Sequence, residues 1–183
     1  MPSNNRLQRS VEGLSASIHD TAARCSTRTL GARKVSDVDL QIREVVDRET
    51  RAWDTKDVDL LLSVLHEDMV WPWPPNSTAH DPAEWVLVWG RYNRDRWRRG
   101  WQELFDTHRL VHNRRVIQRI VVSAESDGAF AVVDVDTLWR RDDGVSSRWL
   151  GRACKFYTLT GHEWKMIAQT GLLDYSMLTK AGT

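Results

Sequence analysis

Hydrophobic and polar residues alternate along this chain with two different periods, helical in the first half and two-residue in the second. Positions Leu40, Ile42, Val45, Val46, Glu49 and Trp53 follow a near-helical period and predict a first helix over about 37–54. Asp57 can cap a short second helix whose apolar face is Val58, Leu61, Leu62 and Leu65. Met69 to Trp73 then reads as a strand, held to a sheet edge or rim by Pro72, Pro74 and Pro75 because proline has no amide to donate. Asp81-Pro82 opens another helical segment, with Trp85 and Trp89 four apart on one face. After Gly90 a longer helix is expected over about 93–105, with Trp97, Trp101, Leu104 and Phe105 on one stripe.

From residue 109 onward the pattern is that of long strands. Arg109 to Ser123, Ala129 to Arg141, Arg148 to Thr160 and Glu163 to Leu173 are separated by turn signals at Asp127-Gly128, Asp143-Gly144 and Thr160-Gly161. Helices first and an antiparallel meander afterwards, with one early strand between the helices, give an α+β class. The expected architecture is a cone-shaped barrel, a curved antiparallel sheet packed against three or four N-terminal helices.

Composition narrows the function classes. The chain has 183 residues and a formal net charge of +1, so nothing general favours nucleic acid or an anionic membrane. The charge is unevenly spread. Residues 1–35 carry six basic and two acidic residues, a net of +4, which leaves 20 basic and 23 acidic residues, a net of −3, for 36–183. The head therefore reads as a disordered basic extension (1–35), followed by one domain over 36–175 and a tail over 176–183. No apolar run approaches the ~20 residues of a membrane span. Cys25 and Cys154 read as reduced thiols, as expected of a cytoplasmic protein.

The candidate chemistry is sparse. No glycine-rich phosphate loop and no nucleophile elbow are present, so no cofactor and no covalent nucleophile are expected. His108 and His112 fall four apart in a strand and so on one face, with Leu110 between them. That spacing sets them about 13 Å apart along the backbone, too far to share a metal, and no metal is expected. His66 reads as a cap of the second helix and His162 as a turn residue. Asp134 and Asp136 share one strand face, while Ala131, Val133, Val135, Thr137 and Trp139 form the more apolar one. Asp134 reads as a structural ion-pair partner. Asp136 is open to that role or to orienting a histidine in a pocket. Arg152 and Lys155 fall on opposite faces, so at most one shares the aspartates' side. The arginine band of Arg91, Arg94, Arg96, Arg98, Arg99, Arg114, Arg115 and Arg119 reads as solvated surface, with the alternative that one arginine gates an anionic substrate at the pocket mouth. Ten tryptophans are many for this length. They fill a core or line a cavity for a flat apolar ligand, and the pattern leaves both open.

Two segments resemble a known family. Lys56 to Asp59 followed by His66-Glu67-Asp68-Met69-Val70-Trp71 looks like the opening of the nuclear-transport-factor-2-like superfamily. Gly151 to Tyr157 followed by Gly161 to Met166 looks like its last hairpin. The superfamily includes ketosteroid isomerase, scytalone dehydratase and the SnoaL-like cyclases, so the resemblance implies a cone fold with a ligand pocket over about 36–175. The match departs from ketosteroid isomerase at two places. Its catalytic aspartate before a proline is here Trp73 before Pro74, and its hydrogen-bonding tyrosine on the first helix is here Glu49. Steroid isomerase chemistry of the standard kind is therefore not expected. The dehydratase is a nearer likeness: its Tyr-Asp pair corresponds to Trp53-Asp54 before Lys56-Asp57, and for its two histidines this chain offers His80, His108 and His112.

These readings give a small-molecule pocket protein, with acid/base chemistry on a hydrophobic cyclic substrate as the expectation and a non-catalytic ligand-binding or adaptor module as the alternative. The expected catalytic groups are Asp54 and His112 for proton transfer and Asp136 as an orienting carboxylate. The expected ligand-binding residues are Trp53, Trp71, Trp73, Trp89, His80 and His108. The expected partners are a small hydrophobic or aromatic molecule and a second copy of the chain, with no nucleic acid and no membrane.

Overall fold

The computed structural model describes residues 31–76 and 81–173, with side chains from Asp37 onward. His80, residues 1–30 of the expected extension and the tail lie outside the described residues.

Helix α1 (Gly31–Thr55) starts ahead of the expected boundary, so residues 31–35 are helical. Its inward stripe is Val38, Ile42, Val45, Val46, Glu49, Ala52 and Trp53, all buried. Leu40, expected on that stripe, faces outward, because Val38 occupies the first inward turn. Asp39 with Arg43 occupies the solvent side. Helix α2 (Val58–Ser63) begins at Asp57, whose carboxylate accepts from the Leu60 amide at 2.9 Å. Helix α3 (Arg94–Thr107) begins at Asn93, which accepts from the Arg96 amide at 3.0 Å, and buries Trp97, Trp101 and Phe105.

The strands are β1 (Leu65–Val70), β2 (His108–Val122), β3 (Gly128–Arg141), β4 (Ser146–Thr160) and β5 (Glu163–Gln169). Their order across the sheet is β1-β5-β4-β3-β2, with β1 parallel to β5 and the other pairs antiparallel. The sheet is curved but not closed, and three helices cover one face, giving the α+β class expected. Between the helices and that face lies the core. Ala131, Val133, Val135, Thr137 and Trp139 of β3 all point into it, so the more apolar face of this strand is the inner one.

Three local expectations are corrected. The strand after α2 ends at Val70; beyond Pro72 only Trp73 pairs, through reciprocal amide bonds of 2.9 Å with Val86. His66 lies in β1 and does not cap α2; its Nδ1 accepts from the Asp68 amide at 3.1 Å. After Asp81-Pro82 the chain makes one 3-10 turn, Pro82–Glu84, and Trp85 is already extended, so Trp85 and Trp89 share no helix face. Pro82 favours a first turn, but the pairing of Val86 with Trp73 draws the chain away before a second can form.

Among the described residues no helix is long and apolar enough to cross a membrane.

Candidate functional site

The inner sheet face and α1 enclose a cavity of about 500 Å³. Its aromatic walls are Trp53 from α1, Trp71 and Trp73 from the segment after β1, and Trp149 from β4. Trp71 and Trp73 contact one another at 5.1 Å between centroids, and Trp149 meets Trp53 edge-on at 5.7 Å. Pro72 cannot donate to a ladder, and the two rings flanking it fall on the same side, as their spacing implies. Val135, Leu150 and Leu172 complete the apolar lining.

The polar part of the cavity is built on one buried ion pair. Glu49 of α1 stands on the apolar stripe, one turn before Trp53. Lys155 of β4 stands between Ala153 and Tyr157 on the inward side of its strand. Lys155 Nζ donates to Glu49 Oε1 at 2.6 Å, and the side chains are 1% and 2% exposed. Trp53 Nε1 donates to the same oxygen at 3.2 Å. Arg115 of β2 is the third member: its Nε lies 3.9 Å from Glu49 Oε1, and its guanidinium sits 5.5 Å above the Trp53 ring. Arg115 also donates from Nη1 to Asn113 Oδ1, which accepts from the Thr137 hydroxyl at 2.8 Å.

Burial shapes the charges here. It acts to raise the Glu49 carboxyl, but Lys155 and Arg115 outweigh it and hold the group below the ordinary carboxylate value. Lys155 is lowered, burial being the main cause and the Arg115 charge adding to it against the pull of Glu49. Tyr157 is raised well above the ordinary phenol value by burial, with Glu49 adding to it. Lys155 is thus an ammonium brought closer to neutrality, held by a carboxylate and bordering an aromatic cavity.

The expected site residues distribute as follows. Trp53, Trp71 and Trp73 line the cavity. Trp89 is not in its lining; the ring packs edge-on against Trp101 at 4.5 Å and supports the wall from behind. His112 and Asp136 are brought together, with Nε2 and Oδ1 3.0 Å apart, but on the outer face of the sheet. Arg148 donates to both Asp136 oxygens at 2.9 Å, and this holds the carboxyl down to about 2. Arg148 also borders the cavity, so the His112-Asp136 pair stands one hydrogen-bonded residue away from it. Asp54 accepts from Asn113 Nδ2 at 2.8 Å, and the same Asn113 side chain accepts from Arg115. His108 lies at the end of α3, its Nδ1 2.8 Å from the Thr107 hydroxyl, outside the cavity lining.

His108 and His112 do not share a face. The register between β2 and β3 slips between Leu110 and His112, which sets Leu110 beside inward Trp139 and His112 beside outward Leu138. Two other readings hold. Arg152 shares the aspartates' face and pairs with Asp134 at 2.5 and 2.9 Å, while Lys155 points inward.

Sequence reasoning missed Lys155, Arg115 and Gln169 as cavity residues. The signal for Glu49 was present, as a carboxylate on an otherwise apolar helical stripe. Arg115 belonged to a band read as solvated, yet its side chain is 4% exposed. Among the described residues no group of three or more His, Cys, Asp or Glu side chains converges as a metal site.

Solved structures of similar shape were found. A conserved protein from Planctomyces limnophilus matches at 14% identity and TM-score 0.59, over 75% of this chain and 97% of that one. A ketosteroid isomerase-like protein from Erwinia carotovora atroseptica matches at 13% identity and TM-score 0.55, over 74% and 96%. An NTF2-like protein with a cystatin-like fold from Novosphingobium aromaticivorans matches at 17% identity and TM-score 0.53, over 84% and 95%. At these identities the likeness is one of fold. The comparison with curated proteins found no match. The SnoaL-like domain family model matches residues 46–167, from the middle of α1 into β5, and so takes in the ion pair and most of the cavity lining. The chain belongs to the SnoaL-like domain family, within the nuclear-transport-factor-2-like superfamily.

Proposed function

We propose that this domain binds a hydrophobic cyclic molecule in the tryptophan-lined cavity and performs cofactor-independent acid/base chemistry on it, of the isomerase or dehydratase kind. The observation that carries the reading is the buried Lys155 in the cavity wall, paired with Glu49 behind it. A buried ion pair is a poor source of stability, since desolvation offsets most of its attraction. A lysine whose ammonium is destabilised by burial gives up its proton more readily than a solvated one, and functional sites are where such groups gather. In this reading Lys155 moves the proton, Glu49 orients it, and the tryptophan faces hold the ring.

Lys155 and Glu49 take the role expected from sequence for Asp54 and His112, because Lys155 lines the cavity and Glu49 holds it from behind. Asp54 positions Arg115 through Asn113. The His112-Asp136 pair positions Arg148 at the mouth.

The test is exchange of carbon-bound protons. The full-length protein is incubated in deuterated water with hydrophobic cyclic ketones, and loss of the α-proton signal is followed by NMR. The expected result is exchange above the buffer rate with at least one ketone, lost in Lys155→Met. Saturable binding of these compounds with exchange at the buffer rate throughout would leave the alternative, a non-catalytic ligand-binding module.

A further inference from the structure

Among the described residues, the charges lining the cavity are of one sign. Arg115, Lys155 and Arg148 are among its lining residues, and no described aspartate or glutamate is. The carboxylates that pair with these cations stand behind them. Glu49 is shared between Lys155 and Arg115, and Asp136 is shared between Arg148 and His112 on the outer face. Asp54 acts on Arg115 from beyond Asn113.

Hydrogen bonding is also incomplete at the floor. Arg115 Nε is buried and makes no hydrogen bond, and its guanidinium is held in place by the Trp53 ring and by Asn113. Gln169 Oε1, in the same lining, is buried and likewise makes none. A buried donor left without an acceptor carries an uncompensated desolvation cost, larger when the group is charged. A ligand that brings an acceptor to Arg115 removes that cost, and a charged acceptor removes most.

We infer that the ligand of this pocket is a planar cyclic molecule carrying an anionic oxygen group, a carboxylate or enolate, seated against Arg115 and Lys155 with its ring between the tryptophans. This rests on the pocket reading above and names the ligand class within it. Arg148, about half exposed at the mouth, lies on the path of an entering anion.

The experiment compares three ligands of one shape: 2-naphthoate, the neutral 2-naphthamide and the cationic 2-naphthylmethylamine. Binding to the full-length protein is measured by isothermal titration calorimetry. The expected result is 2-naphthoate bound at least about tenfold more tightly than the amide, the amine bound weakest, and the preference reduced in Arg115→Gln. Equal affinity for acid and amide, or tighter binding of the amine, overturns the anion assignment and leaves the pocket reading intact. Failure of all three to bind overturns both. The comparison among ligands on the unaltered protein stands whether or not Arg115→Gln folds. Arg148→Gln, at the exposed mouth, supplies a second variant, for which a smaller loss of preference is expected.

Discussion

Lys155 of β4 and Glu49 of α1, 106 residues apart in sequence, meet at 2.6 Å with both side chains buried. Removing either partner leaves the other as an uncompensated buried charge, which costs about 3–5 kcal/mol. Lys155→Met and Glu49→Leu are each expected to lose that much in urea unfolding. The double variant is expected to lose less than the sum of the two single losses, because Lys155 and Glu49 no longer strand one another, although buried Arg115 still loses Glu49. Additive losses in the double-mutant cycle would show that the two groups do not act as a pair.

Gly100 of α3 lies against the Trp89 ring. A Cβ at this position would fall 2.5 Å from the ring. Glycine to alanine in an exposed helix gains roughly 1 kcal/mol. Here overpacking of about 1–3 kcal/mol is expected to reverse the sign. Thermal unfolding of Gly100→Ala measures it, and a raised midpoint would mean that Trp89 does not buttress the tryptophan wall in solution.

Asp136 is held at about 2 against an ordinary 3.8, chiefly by hydrogen bonds from Arg148. A carboxyl lower in the folded than in the unfolded state stabilises the fold above its unfolded value. That contribution is lost as pH falls through the folded one. The stability difference between the wild type and Arg148→Gln is therefore expected to be full near neutrality and to shrink from about pH 5 down to about pH 2. Urea unfolding across that range reads it. A difference independent of pH would place the effect elsewhere than on this carboxylate.

The outer sheet face carries Val116, Phe130 and Phe156, the two rings 5.9 Å apart, beside the Asp134-Arg152 pair. Pairing of this face with a second copy remains our proposal for its apolar patch. Sedimentation velocity is expected to show a dimer that Phe156→Glu converts to monomer. A wild-type monomer at all concentrations would remove the proposal.

Much of the fold was legible because its signals are local. Asp57 and the Leu61-Leu62 face announce α2, and Asp143-Gly144 announces the β3-β4 hairpin. The site was less legible because its geometry depends on long-range register. The slip between Leu110 and His112 sends one histidine inward and the other outward, and nothing near those residues marks it. The segment after Pro82 was misread for the same reason, since the bridge from Val86 to Trp73 overrides a sound helix start. Glu49 is the instructive case. Its place on the apolar stripe was visible, but its meaning depended on Lys155, which only the folded sheet brings opposite.

The central claim is that the space bounded by Trp53, Trp71, Trp73 and Trp149 receives a ligand. The most direct measurement is tryptophan fluorescence of the full-length protein, titrated with a panel of flat hydrophobic carbonyl and hydroxyl compounds. The account expects a saturable shift with at least one of them, weakened at least about tenfold in a folded Trp73→Ala variant. No response from any compound in the folded protein, or an affinity unchanged by Trp73→Ala, would contradict it.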